Sequence, residues 1–518
     1  MPELWPDYIA GREKLHPFYS GTPHSLFEMQ PQAWEPDPVF RSSLEQYQAR
    51  LGLERTIPRE ASVIITGQQP GIFTGPAYTI YKAITVLHLA RQLEKQSGKQ
   101  CVPVYWIGAD DHDLAEVGAV QLLTKQDISL PLVFQPETAV GRSMFNVSLS
   151  DQILVLIDQA AEAAAGSELS REVREFLYGQ AEKADSLADW FARIMARMFR
   201  DTPLLLFSSD LPEARRMAIP ILERELEEPL ETTRLVNSAA ARLEAQGYTA
   251  QLTKNDNECS FFVEMEGRRC KVLFESGRFV LPEIKEEKSL DELQALLSAH
   301  PERFTPNVAL RCIIQQRLFN PSAYVGGPGE IAYWAQFKQV FERYQYPMPV
   351  VYPRVRATLT TAKLRKVQSK LNLTLDDLAQ SEEQVLEQAL QSAVQHPALA
   401  LIQQRRPVMV EQARELLAAL QAQHLKNPVV LTLAEGLAGQ VEGNFDRIER
   451  ALRRSDQTQL DTVRKQVGRL CTVLAPARRP QERVYTIFSF LFAHGWELIP
   501  RLIKELDPEN FEMQELEL

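Results

Sequence analysis

Short apolar runs and helical stripes alternate from Ser62 onward. S-V-I-I-T (62–66) reads as a buried strand, and a glycine-bearing turn, Q-Q-P-G-I-F-T-G-P (68–76), follows it. Ala77, Ile80, Tyr81, Ile84, Leu87 and Arg91 then recur at helical spacing, and C-V-P-V-Y-W-I (101–107) is a second apolar run. Strand, turn, helix and strand make one βαβ unit. Thr74 and Gly75 are expected to cap the helix, with Pro76 in its first turn, where a missing N–H costs nothing.

The same logic extends along the chain. Residues 1–60 are Pro-rich and aromatic with little period, as in an arm laid over a core. Strands are expected near Leu130–Phe134, Met144–Leu149, Pro203–Ser209, Ser322–Val325 and Pro349–Tyr352. Helical spacing marks 151–200, 214–246 and 330–344, while 249–281 carries short β-prone runs that suggest a small antiparallel insertion. From Leu375 to Leu474 the chain is almost wholly helical. One stripe runs through Leu433, Leu437, Val441, Phe445, Ile448 and Leu452, and a second through Leu460, Val463, Val467, Leu470 and Leu474. The polar stretch R-R-S-D-Q-T between them reads as a turn, giving an antiparallel hairpin or coiled coil, or else a helical subdomain packed on its own core. The expected segments are 1–150 (core, first part), 151–200 (helical insertion), 201–248 (core), 249–300 (β-rich insertion), 301–374 (core, second part), 375–474 (helical coiled-coil dimerisation domain) and 475–518 (C-terminal helical segment returning to the core).

Bulk properties narrow the class. The 518 residues are 45% apolar and 24% charged, an ordinary globular balance. The net charge of −11 argues against nucleic-acid binding, which needs a basic surface. No run reaches the ~18 apolar residues of a membrane span, and the first residues lack the pattern of a secretory signal. The five cysteines form no C-x-x-C pair, which suits a reduced cytoplasmic protein with cysteines as packing residues rather than nucleophiles.

Candidate chemistry collects at strand ends. In a doubly wound sheet ligands bind beyond the carboxyl ends of the strands, so Gly67, Gln68 and Gln69 are expected beside Asp110, Asp111, His112 and Asp113. Three carboxylates around an imidazole suit a divalent metal or acid–base work, or alternatively cap turns after a strand. Adjacent residues cannot all aim at one point, so two of the four are expected to face the crevice. Gly67, Gly71 and Gly75 match neither a dinucleotide fingerprint nor a P-loop, leaving anion binding and a tight turn both open. A second turn, Gly326-Gly327-Pro328-Gly329, precedes Glu330 at a helix start, where a carboxylate is either a ligand or a dipole stabiliser. His16, His24, His300, His396 and His424 lack such company and read as surface or packing residues.

Four stretches together resemble the bacillithiol-synthesis cysteine-adding enzymes, the BshC family of cysteine ligases: T-G-Q-Q-P-G-I-F-T-G-P (66–76), P-V-Y-W-I-G-A-D-D-H-D (103–113), A-Y-V-G-G-P-G-E-I-A-Y-W (323–334) and Q-E-R-V-Y-T-I-F (481–488). The resemblance spans essentially the whole chain in order. It implies an α/β fold: a Rossmann-like parallel-sheet core resembling class I aminoacyl-tRNA synthetases, with connecting-peptide insertions and a helical coiled-coil domain that makes a homodimer. It implies a ligase that joins L-cysteine to glucosaminyl-malate in the last step of bacillithiol biosynthesis, and an adenine nucleotide pocket near the coiled coil. The chain departs from the family pattern at Cys312 and Gln316, where relatives tend to carry Pro and Asp, so Gln316 is given no role. No H-I-G-H or K-M-S-K-S stretch of a synthetase is present.

On this basis Asp111, His112, Asp113 and Gln69 are the catalytic candidates. Gly67, Gln68, Gly75, Tyr78, Asp110, Tyr324, Gly327, Gly329, Glu330 and Trp334 are candidates for substrate binding. A free carboxylate is a poor electrophile, so activation by ATP with Mg²⁺ is expected, and the sugar amine needs a base. Arg356, Thr358, Thr360, Gln481, Glu482 and Arg483 are the candidates for an adenine nucleotide, against a plain structural clamp. The rivals are another ATP-dependent aminoacyl or nucleotidyl transferase on this fold, and a non-catalytic nucleotide-binding dimer.

Overall fold

The computed structural model describes residues 4–136, 139–164, 167–393, 397–424 and 426–518. His396 lies outside them. The chain divides into two compact units: Met1–Thr358 with Glu482–Leu516, and Leu359–Gln481 with Glu517–Leu518.

The first unit is built on a five-stranded, wholly parallel sheet. Its strands are β1 (Ser62–Gln68), β2 (Cys101–Ile107), β3 (Leu205–Ser208), β4 (Ala323–Gly326) and β5 (Val350–Pro353). The spatial order is β5-β4-β1-β2-β3, with β1 in register from Ser62↔Cys101 to Gln68↔Ile107 on one side and from Ile64↔Ala323 on the other. This is the doubly wound Rossmann order, and the winding reverses between β1 and β4. The strands read as near-continuous apolar runs because both faces are covered: Val63, Ile64 and Ile65 have no exposed surface.

The helix after β1 runs Tyr78–Ser97 and ends on Gly98 in the left-handed conformation. It starts two residues later than the expected cap, and no side chain caps it. Phe73, Thr74 and Gly75 instead take positive φ and form a tight turn. The C-terminal stretch pins that turn: the Thr486 hydroxyl donates to the Phe73 carbonyl at 2.7 Å, and Ala77 N–H donates to the Tyr485 carbonyl at 2.8 Å.

The antiparallel insertion is present as Glu258–Met265, Arg268–Glu275, Arg278–Leu281 and Glu286–Lys288, joined by Phe304–Pro306. The expected strand at Met144–Leu149 is instead a 3₁₀ turn, Met144–Asn146. Its Met144 and Phe145 N–H groups donate to the carbonyls of Asp111 and Ala109, so it braces the loop after β2 rather than a sheet.

The second unit is helical: Ala362–Lys370, Leu375–Leu378, Glu382–Ala393, Pro397–Ala422 and Pro428–Leu474. The expected turn near 453–458 is absent, and one helix of 47 residues passes through it. The break falls earlier, where Asn427 caps the long helix through Val429 N–H and Pro428 occupies its first turn. The hairpin is therefore made of Pro397–Ala422 and Pro428–Leu474, tied by Arg406 to Glu442, Asp446 and Glu449.

Candidate active site

A cavity of about 770 Å³ opens at the carboxyl ends of β1, β2 and β4, at the switch point. Gly67, Gln68, Gln69, Tyr78 and Asp110 through Asp113 line it, together with Tyr324, Gly327, Gly329 and Glu330. The structure thus brings the two strand-end motifs to one place. Gly75 and Trp334 do not reach it. The Gly75 N–H is bonded to the Ile72 carbonyl at 2.8 Å, and Trp334 is buried in a stack on Tyr324. Gly67 is required by close approach: a Cβ there would sit 2.9 Å from the Trp106 carbonyl oxygen.

The four members of the Asp-Asp-His-Asp cluster have separate partners. Asp110 is buried and paired with Arg215. Asp113 caps the short helix Leu114–Val117 through Glu116 N–H at 3.1 Å, as an Asp after a strand often does. Asp111 and His112 face the cavity with partly exposed side chains. Asp111 accepts from the Gln69 amide and from His112 N–H at 2.7 Å. Burial pushes its carboxyl up, but the neighbouring His112 side chain, the Gln69 amide, the Arg269 charge and the His112 backbone N–H outweigh burial and hold it well below the usual carboxylate range.

His112 Nδ1 lies 2.9 Å from an Arg269 guanidinium N–H. Arg offers only donors, so Nδ1 accepts and the neutral ring carries its proton on Nε2. Arg269 comes from the antiparallel insertion and is itself fixed by the Thr305 hydroxyl and the Pro306 carbonyl, each at 2.8 Å. Burial pulls it down to about 10, so it stays charged at neutral pH.

Glu330 stands between the two glycine turns. Its carboxylate accepts from Gly327 N–H at 2.9 Å and from the Tyr324 hydroxyl at 2.5 Å, and it pairs with Lys82 at 2.5 Å. Lys82 is 1% exposed and also donates to the Gly67 carbonyl and the Gln68 side chain, both at 2.8 Å. One buried ion pair therefore fixes the ends of β1 and β4 together. Sequence reasoning passed over Lys82 because it lies on the buried stripe of its helix. A lysine in an otherwise apolar helix face was the available signal.

The six nucleotide candidates are occupied differently. Glu482 is buried, with one oxygen on Arg354 at 2.7 Å and the other on Ala357 N–H at 3.0 Å. Gln481 is bonded at both ends of its amide to Leu359, and also to the Val473 carbonyl. Thr358 and Thr360 are each 1% exposed, so neither hydroxyl is open to a phosphate. Arg356 lies over the Trp5 ring, and Arg483 lines the central cavity. Gln481 and Glu482 act as clamps, their polar atoms taken up by neighbouring backbone and Arg354, while the two threonines are buried. Gln316 is also structural, bonded to Gln32 and Asn320.

No cysteine lines the cavity. Among the described residues no set of three His, Cys, Asp or Glu side chains is arranged to hold a metal ion, and no helix is long and apolar enough to cross a membrane.

Comparison with known proteins fits both units. Residues 2–355 match the family described as "Bacillithiol biosynthesis BshC, N-terminal Rossmann-like domain", and residues 357–518 match its "C-terminal coiled-coil domain". Proteins described as "Putative cysteine ligase BshC" are similar over nearly the full chain. That of Salinibacter ruber is 29% identical, covering 98% of this chain and 94% of the relative. That of Symbiobacterium thermophilum is 32% identical, covering 90% and 87%. A solved structure titled as a "putative arginyl t-RNA synthetase" from Campylobacter jejuni covers 86% of this chain and 98% of its own at 12% identity. Its TM-score of 0.21 is too low to bear on the fold.

Proposed function

The chain belongs to the bacillithiol biosynthesis BshC family, and we propose that it forms the amide bond between the carboxyl of L-cysteine and the amine of glucosaminyl-malate in the switch-point cavity. The observation that carries this reading is the convergence of Gln69, Asp111 and His112 at the carboxyl ends of β1 and β2, in a cavity large enough for an amino acid and a sugar conjugate.

The residues suit acyl transfer to an amine. The attacking amine must present a lone pair, and Asp111, held ionised, accepts an N–H bond from it and orients it. Gln69 fixes Asp111, and Arg269 fixes the His112 ring so that Nε2–H is a donor for an oxygen that gains negative charge. The Lys82–Glu330 pair holds the two glycine turns that frame the reacting groups. A free carboxylate does not acylate an amine in water, so the cysteine carboxyl reacts as an activated acyl group; ATP is the co-substrate that would supply the activation, with AMP or phosphate as the group displaced by the amine and the amine's proton lost to solvent.

The helical unit supports a homodimer. Leu401, Val408 and Leu416 on one helix and Leu433 and Ile448 on the other leave apolar surface exposed, and a symmetric partner is the common way to cover such a stripe.

The test is incubation of the purified chain with cysteine, glucosaminyl-malate and ATP·Mg²⁺, read by mass spectrometry of small thiols. Bacillithiol is the expected product. A different acylated or nucleotidylated product would move the chain to another transferase activity, and no consumption of either substrate would overturn the reading.

A further inference from the structure

Four arginines line the cavity, and they are not alike. Arg354 is paired with Glu482, and Arg269 is held by Thr305, Pro306 and His112. Arg483 is exposed at the rim. Arg311 sits in the wall, and among the described residues no carboxylate oxygen lies within 4.0 Å of it. One N–H donates to Gln315 Oε1 at 3.1 Å and another meets Cys312 Sγ at 3.3 Å. A guanidinium carries five N–H groups, so most of its donor capacity remains. Its position is nonetheless set: Cζ lies 5.6 Å from the Tyr324 ring centroid and 6.0 Å from that of Trp106.

Asn307 stands four residues earlier on the same helix face and also lines the cavity. It caps the helix Val308–Phe319: its Oδ1 accepts from Ala309 and Leu310 N–H, each at 3.0 Å. The cap fixes which end of the amide is oxygen. Its Nδ2 group is left as a donor, with no acceptor among the described residues.

The carboxylate whose charge reaches Arg311, that of Glu330, is already paired with Lys82, so the guanidinium keeps unused donors, and its planar fork matches a carboxylate. The cavity is also polarised. Asp111 and Glu116 gather about Gln69, whereas Arg311 stands against Trp106 and Tyr324. We infer that Asn307 and Arg311 form a carboxylate subsite that receives the malyl group of the acceptor and thereby turns its amine toward Asp111. The identity of the acceptor rests on the function proposed above; the carboxylate chemistry of the subsite does not.

The experiment is calorimetric binding of glucosaminyl-malate and of methyl glucosaminide, which keeps the sugar amine and lacks both carboxylates, to the full chain. Arg311→Met is expected to weaken glucosaminyl-malate about tenfold or more and to leave methyl glucosaminide unchanged. Asn307→Asp keeps the capping oxygen and replaces the donor with a negative charge, so it should have the same selective effect without loss of fold. In turnover both variants should raise KM for glucosaminyl-malate and not KM for cysteine. If Arg311→Met fails to fold, Asn307→Asp decides. Binding within twofold of wild type, or equal loss of both ligands in a folded variant, would overturn the subsite. Selective loss of binding in the variants of a wild type that makes no bacillithiol would keep the subsite and reject the proposed reaction. Normal binding in the variants of a wild type that makes it would do the reverse.

Discussion

Val63, Ile64 and Ile65 in the Rossmann-like unit have no exposed surface, while Leu433 and Ile448 in the helical unit are 65% and 50% exposed. The same contrast holds for charge. Around the cavity, Lys82 meets Glu330, Arg215 meets Asp110 and Arg354 meets Glu482, and each of these cations is at most 5% exposed. On the helical hairpin, Arg406 is itself 30% exposed, and two of its three carboxylates, Glu442 and Asp446, are about half open to water. Buried pairs fix geometry because breaking one strands a charge, whereas exposed pairs contribute little. One unit is therefore finished by its own chain. The other carries an apolar stripe that its single hairpin leaves uncovered.

The largest expected effect is on chemistry. Asp111→Asn keeps the shape and removes the charge that orients the amine, so bacillithiol formation should fall by about two to four orders of magnitude with the fold retained. Mass-spectrometric initial rates check this, with circular dichroism as the fold control. Full activity in Asp111→Asn, His112→Ala and Gln69→Ala alike would empty the cavity of its assigned role.

Stability comes next. Lys82→Met strands the Glu330 carboxylate and should cost about 3–5 kcal/mol in denaturant unfolding. The double variant Lys82→Met/Glu330→Gln should recover part of that loss. If the single variant unfolds like wild type, the pair does not hold the two turns together.

The helical unit should respond in the opposite way, losing assembly rather than fold. Leu433→Glu with Ile448→Glu should convert a sedimenting dimer to monomer and leave the helical signal intact. A wild type that is already monomeric at micromolar concentration would end the comparison on this side.

The smallest effect is on acid stability. The folded Asp111 carboxyl titrates below its unfolded value of about 3.9, so its contribution is present above that pH and is lost as pH falls through the folded value. Asp111→Asn should therefore flatten the decline in unfolding free energy below about pH 4. An unchanged slope would mean that the donors around Asp111 do not hold it ionised.

Much of this protein was legible along the chain. Apolar runs of strand length with β-branched residues marked the parallel strands, since a strand covered on both faces shows no alternation. Glycines marked the turns after β1 and β4, and at Gly67 the reason is close approach of its backbone to the Trp106 carbonyl. The division into an α/β unit and a helical unit followed from a change of period. The long helix was misread at R-R-S-D-Q-T because polar residues resemble a turn. They carry no Gly or Pro, and each costs a helix at most about 0.7 kcal/mol. The true break, Asn427-Pro428, was written in the chain as a cap followed by a first-turn proline.

What tertiary structure alone decided is which polar group answers which. The sequence offered four adjacent candidates at 110–113. Folding assigned Asp110 to Arg215, His112 to Arg269 and Asp113 to a helix cap, with Asp111 and His112 left facing the cavity. The partners of Asp110 and His112 lie 105 and 157 residues away, and no local period encodes them; the Asp113 cap, three residues on, is local. Arg311 was invisible for the converse reason. Its importance lies in the close ion pair it lacks, the Glu330 carboxylate being taken up by Lys82, and that can be recognised only when every neighbour in space has been counted.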